Sequence, residues 1–115
     1  MSNAMYAETL LADPRTARAD ERAALIRLAA MIVAAEGSGP GSRLAIEAID
    51  AVNTILSALL VDLIRPENDL PVDLRAHLVS IGIFLLRHAE AIRRGQSQDF
   101  RTLRDITLSI ADGLA

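Results

Sequence analysis

Apolar residues recur along most of this chain at helical spacing, and the stretch from Leu70 to Arg94 carries more of them than one buried face requires. At about 100° per residue, Leu74, Leu78, Ile81, Leu85 and Ile92 form one strip, with Leu86 and Ala89 along its edge. A second strip holds Val72, Ala76, Val79 and Ile83, so the segment from Val79 to Leu86 is apolar nearly all round except at Ser80 and Gly82. A helix of this kind is either the centre of a bundle or a contact surface. The run Ile81–Leu86 would suit a strand in isolation, but it lies inside a longer helical pattern without flanking breakers.

Three further helices follow from the same reasoning. Asp13-Pro14 is a start signal, with Asp as cap and Pro in the first turn, for a helix over 14–36. Its strip is Leu25, Leu28 and Ile32, with Ala24, Ala29, Met31 and Ala35 beside it, while Arg15–Ala24 is polar and alanine-rich and is expected to project beyond the core or to fray. Gly37-Ser38-Gly39-Pro40-Gly41 ends it. Ser42 then caps a helix over 43–65, stopped by Pro66. There Leu44, Ala48, Ile49, Val52, Ile55, Leu56, Leu59, Leu60 and Leu63 cover more than half the circumference, so two neighbours are required. Asp62 falls inside this apolar arc, where a carboxylate needs a partner or an exit to water. The third helix is expected over 71–94, closed by Arg93 and Arg94 beside Gly95, and Asp99 caps a last helix over 100–112. That helix carries a narrow stripe of Phe100, Leu103, Ile106, Thr107, Ile110 and Leu114. Burying it is worth on the order of 10 kcal/mol gross. Ordering its residues costs a comparable amount, so it is expected to dock marginally. The fold class is all-α: an antiparallel bundle of three long helices and one shorter C-terminal helix, in a single domain over 5–115. Met1 to Ala4, ahead of a second methionine, read as a vector-derived remnant.

Composition narrows the chemistry. Half of the 115 residues are apolar, yet the only aromatics are Tyr6, Phe84 and Phe100, and cysteine is absent. Disulfides and thiolate metal sites are therefore excluded. His77 and His88 lie ~16 Å apart along one helix and cannot share a metal, so no metal and no cofactor is expected. The net charge is −3 and every basic residue is arginine, which argues against a dedicated nucleic-acid binder. The glycine-rich turn lacks the preceding strand and the lysine of a phosphate loop. No apolar run approaches the ~20 residues of a membrane span, and a cytoplasmic location is expected.

Arg87, Arg93, Arg94, Arg101 and Arg104 gather near the last turn. Helix-dipole compensation and spaced pairs such as Glu90 with Arg94 and Arg101 with Asp105 account for them, the alternative being a patch for an anionic partner. No carboxylate pair or serine–base arrangement suits catalysis, so no enzyme is expected.

Three spans together resemble the FlaF family of flagellar biosynthesis regulators from alphaproteobacteria. One is Pro66-Glu67-Asn68-Asp69-Leu70-Pro71 followed by Leu74-Arg75-Ala76 and the apolar run through Phe84 to Arg87-His88. The second is the preceding helix with Asn53, Leu56 and Asp62, and the third is Leu103, Ile106, Ile110, Gly113 and Leu114. Tyr6-Ala7 and Pro14-Arg15 fit the family's opening. Many members carry a large aromatic near the position of Ser57, and this chain has none. The resemblance implies a non-enzymatic regulator that binds flagellin as a chaperone or export adaptor and works beside the FlbT regulator. Flagellin's amphipathic terminal helices, poorly ordered before assembly, would suit helix-in-groove contact with spare apolar surface. Candidate partner-binding residues are Val79, Ile83, Phe84, Arg87, Asn53 and Asp50. The competing readings are a regulator contacting flagellin mRNA or FlbT, and a plain homodimeric bundle using the same strip.

Overall fold

The computed structural model describes residues 14–39 and 41–114. Among them are four helices and no strand: α1 (Pro14–Ser38), α2 (Arg43–Leu63), α3 (Val72–Arg93) and α4 (Phe100–Gly113). The bounds agree with the sequence reading to within two residues. Asp13, Pro40 and the opening Tyr6-Ala7 lie outside the described residues.

Each boundary has a local cause. α1 begins on Pro14, whose missing N–H falls where no helical partner exists. After Gly39, held at φ 90°, the Ser42 hydroxyl donates to the Gly39 carbonyl at 2.8 Å and accepts the Ala45 N–H at 3.1 Å. The glycine-rich turn thus passes directly into the N-cap of α2. α2 stops at Leu63, two residues short of expectation, with Ile64 as its C-cap; a proline at 66 disfavours the helical conformation for the residue before it. α3 closes in a Schellman motif: Gly95 takes φ 76°, its N–H reaches Ile92, and the Gln96 N–H reaches Ala91 at 2.8 Å. At α4 the Asp99 carboxylate accepts the Thr102 N–H at 3.0 Å and also receives the Thr102 hydroxyl.

The helices form a ring. α1 packs on α2 and α4, and α3 packs on α2 and α4, while among the described residues the backbones do not approach closely across either diagonal. The core is the union of the four predicted stripes: Leu25, Leu28 and Ile32; Val52, Leu56 and Leu63; Leu78, Leu85 and Ile92; Leu103 and Ile110. α2 touches two neighbours, as its broad arc demands.

Several expectations need correction. α4 is not marginally docked. It lies between α1 and α3, packs more extensively on α1 than any other pair does, and buries Phe100, Leu103, Thr107, Ile110 and Ala111. A helix flanked on both sides removes more apolar surface from water than its single stripe suggests. The polar start of α1 adds nothing to the core, which begins at Leu25, but it is tied down: Arg18 is bonded to Asp69 at 3.1 Å and Glu21 lies near Asp62. Leu44 and Met31, assigned to buried strips, are more than a third exposed. By length and composition α2 is also apolar enough to cross a membrane, with a mean hydropathy of 1.8 over its best window. Here it is a core helix of the bundle, and its outer arc carries Glu47, Asp50, Thr54 and Ser57 to the surface.

Candidate partner-binding surface

α3 has its buried edge along Leu78, Gly82, Leu85, Ala89 and Ile92, which leaves two flanks. The flank toward α2 is set by Gly82. A β-carbon there would lie 2.9 Å from Leu60 Cδ2 and 3.7 Å from Leu56 Cδ1, so the absent side chain lets the two helices approach closely. Val79 and Leu86, a turn either side of Gly82, pack half-buried against the core.

This resolves the second apolar strip into two parts. Val79 belongs to the α2–α3 contact and is not free surface. Val72, Ala76 and Ile83 lie further round and are exposed, Val72 at 69% and Ile83 at 41%. On the facing helix, Val61 at 51% and Ile64 at 67% are exposed on the same outer side. The two antiparallel helices therefore present aliphatic side chains along one outer face, Val61 and Ile64 from α2 and Val72, Ala76 and Ile83 from α3. α4 does not cover this face, since it packs on the opposite flank of α3.

The polar candidates border it. Asn53 is half-buried on the α3 side of α2, while Asp50 and Arg87 are exposed. Asp50 is near enough to Arg93 to stabilise its charge, behind the larger contribution of Glu90. Helical register thus gathers Asp50, Asn53, Val79, Ile83 and Arg87 on the α2–α3 side. Phe84 is separated from them. One residue on from Ile83 it turns by about 100°, and it lines a shallow groove of about 320 Å³ between α3 and α4 together with His77, Ser80, Ile81, Ile106 and Ser109. Phe84 is 52% exposed and stacks on His88 with ring centroids 6.1 Å apart. The His88 Nε2–H donates to the Asp99 carbonyl at 2.8 Å, so this histidine ties the end of α3 to the start of α4.

The arginines near the last turn are largely occupied. Arg93 and Arg94 both grip Glu90, at 2.6 and 2.9 Å, and hold its carboxyl below the usual range, mainly through the Arg93 hydrogen bond. Asp105 is taken by its neighbour Arg104 at 2.8 Å and not by Arg101 as its spacing suggested. Adjacent residues point apart on a helix but long side chains fold back over the surface. Among the described residues no cluster of three or more metal-ligating side chains occurs.

Two features escaped the sequence reading. Val61 and Ile64 carry no distinguishing signal, since α2 is apolar over most of its circumference and its pattern alone does not separate covered from uncovered positions. Glu21 gave no signal of its own; the only hint was that Asp62 needed a partner.

Among the described residues an all-α ring of four helices, with aliphatic side chains on its outer face and paired charges around it, defines a small helical-bundle protein. The FlaF family (flagellar protein FlaF) matches this chain over residues 2–114, and the chain belongs to that family. Membership places it in flagellar biogenesis. Comparison with curated proteins and with solved structures gave no match.

Proposed function

We propose that this protein is a non-enzymatic, cytoplasmic regulator of flagellum biogenesis that binds flagellin as a chaperone or export adaptor. One observation carries the reading: the outer α2–α3 face exposes Val61, Ile64, Val72 and Ile83, each between 41% and 69% accessible. Aliphatic side chains gathered on one face, bordered by Asp50, Asn53 and Arg87, have the apolar centre and polar rim of a protein-binding patch. An amphipathic helix laid along the line between α2 and α3 would bury its apolar stripe there.

Calorimetry with cognate flagellin tests this directly. Wild-type protein should bind at tens of micromolar or tighter, and Val61→Asp combined with Ile83→Asp should weaken binding at least tenfold. Both residues are exposed, so the thermal midpoint should hardly move. Val79→Asp is avoided because it would place a charge in the α2–α3 contact and unfold the bundle. Absence of binding by wild type, or undiminished binding by the double variant, removes the proposal. Light scattering over a concentration series separates flagellin capture from self-association through the same face.

A further inference from the structure

The outward side of α1 carries an apolar pattern that the bundle leaves unused. Ala19, Ala23, Ile26, Ala30, Val33 and Gly37 follow one another at alternating intervals of four and three residues. That spacing keeps one seam of a helix facing a partner helix over successive turns. Ile26 is 43% and Val33 50% exposed, Ala19, Ala30 and Gly37 are exposed too, and Ala23 is half-buried. The residues that α1 gives to its own core, Leu25, Leu28, Ala29, Ile32 and Ala35, form a separate strip. A helix that only closed a bundle would need that strip alone.

What fits the outer seam is α1 itself, run in the opposite direction. One register sets Ala19 against Gly37 of a second copy, Ala23 against Val33 and Ile26 against Ala30. Each large side chain then meets a small one, which is how facing layers interdigitate. Alanine and glycine at the remaining contacts let the axes approach to the ~8 Å end of the usual range. The same register brings the exposed Arg22, on one edge, to the exposed Glu36 of the other copy, and the two-fold axis repeats that pair. On the other edge Arg27 meets its own counterpart near the axis, and its long exposed side chain can turn to water.

We propose that two copies of this chain associate through an antiparallel α1–α1 seam built on Ala23, Ile26, Ala30 and Val33, with Arg22 of each copy paired to Glu36 of the other. From Ala19 to Gly37 the seam is about 27 Å long. A strip one helix wide and of that length buries less than the ~800 Å² per partner of a standard stable interface. The dimer is therefore a weak, reversible one, with a dissociation constant on the order of 100 µM. α1 lies across the ring from α3, so Val61, Ile64, Val72 and Ile83 stay open on both copies. This inference is independent of the flagellin reading and applies to the protein alone.

Sedimentation equilibrium of the full chain from about 10 µM to about 1 mM tests it. The apparent mass should rise toward that of two chains. Ile26→Asp with Val33→Asp should abolish the rise, and Arg22→Glu should weaken association about tenfold. Adding Glu36→Arg to Arg22→Glu should restore association, which a general structural defect would not allow. Val61→Asp with Ile83→Asp should leave it unchanged. Direction is read by disulfide trapping, since the chain has no cysteine of its own. Ala23→Cys mixed with Val33→Cys should cross-link under mild oxidation. Neither variant alone should do so, because its two thiols would lie about 15 Å apart along the seam. A chain that stays monomeric across the whole range overturns the proposal, as does a dimer untouched by Ile26→Asp with Val33→Asp. Cross-linking within either cysteine variant alone, or none in the mixture, overturns it as well. If the aspartate pair unfolds the chain, the cysteine mixture decides.

Discussion

Among the described residues Thr107 is the one polar residue buried in the core, and its hydroxyl donates to the Leu103 carbonyl one turn back at 2.7 Å. That carbonyl already has its helical partner, the backbone N–H of Thr107, so removing the hydroxyl orphans nothing. Thr107→Val should therefore be neutral or slightly stabilising, within about 1 kcal/mol by denaturant unfolding. Ser42 is different, because its hydroxyl is the sole side-chain cap on the first turn of α2. Ser42→Ala should cost ~1 kcal/mol in the same measurement. Asp99 does the same for α4 through a charge. Its carboxyl is held below the usual range chiefly by the Thr102 hydroxyl, then by the Thr102 N–H. A depressed folded value means the cap's contribution is present above the ordinary aspartate range and disappears as pH falls through the folded value. Asp99→Asn keeps an acceptor without the charge and should lose this acid-side dependence in thermal scans below pH 5. The caps at Ser42 and Asp99 were legible in the sequence because capping is local, a matter of residues three apart. Glu21 with Asp62 was not, since no local rule links residues on different helices.

At the scale of the helix, wheel arithmetic located the buried stripes correctly but could not say which neighbour would meet each flank. Val79 shows the difficulty. Its angle on the wheel is as far from the main strip as that of an exposed residue, and only the close approach permitted by Gly82 brings α2 over it. Leu60 Cδ2 would stand 2.9 Å from a β-carbon at position 82, and as the tip of a half-buried side chain it can swing aside. Gly82→Ala should accordingly change stability by less than about 1 kcal/mol, strain offsetting the gain in helix propensity. Gly82→Leu should lose roughly 1–3 kcal/mol, because it drives the two helices apart. Fluorescence-detected urea unfolding, with a reporter tryptophan introduced on an exposed polar arc, separates these outcomes. The exposed aliphatic face was half legible. Val72 and Ile83 stood out from the sequence, but Val61 and Ile64 lie on a helix so apolar that nothing distinguished covered from uncovered positions until the neighbours were in place.

For the molecule as a whole, the ring arrangement decides where stability and order reside. Adjacent pairs α1–α2, α2–α3 and α3–α4 join helices that follow one another along the chain. The fourth side, α1 with α4, joins helices separated by the whole of α2 and α3, yet it is the most extensive contact. Closing a loop of that length is the slow and entropically costly part of assembly. The α1–α4 seam should thus form late, and mutations in it should act mainly on the unfolding rate. Leu103→Ala, which opens a void at a position with no exposure, should cost about 2–5 kcal/mol. In stopped-flow experiments most of that loss should appear as faster unfolding, whereas Leu56→Ala on α2, inside the sequential part of the ring, should also slow refolding. Equal effects of the two on refolding would argue for a nucleus spread over all four helices. A bundle sealed along its most sequence-distant edge behaves like a clasped bracelet: forced or transient opening starts at the α1–α4 edge, while the three hairpins that make up the rest of the ring stay intact.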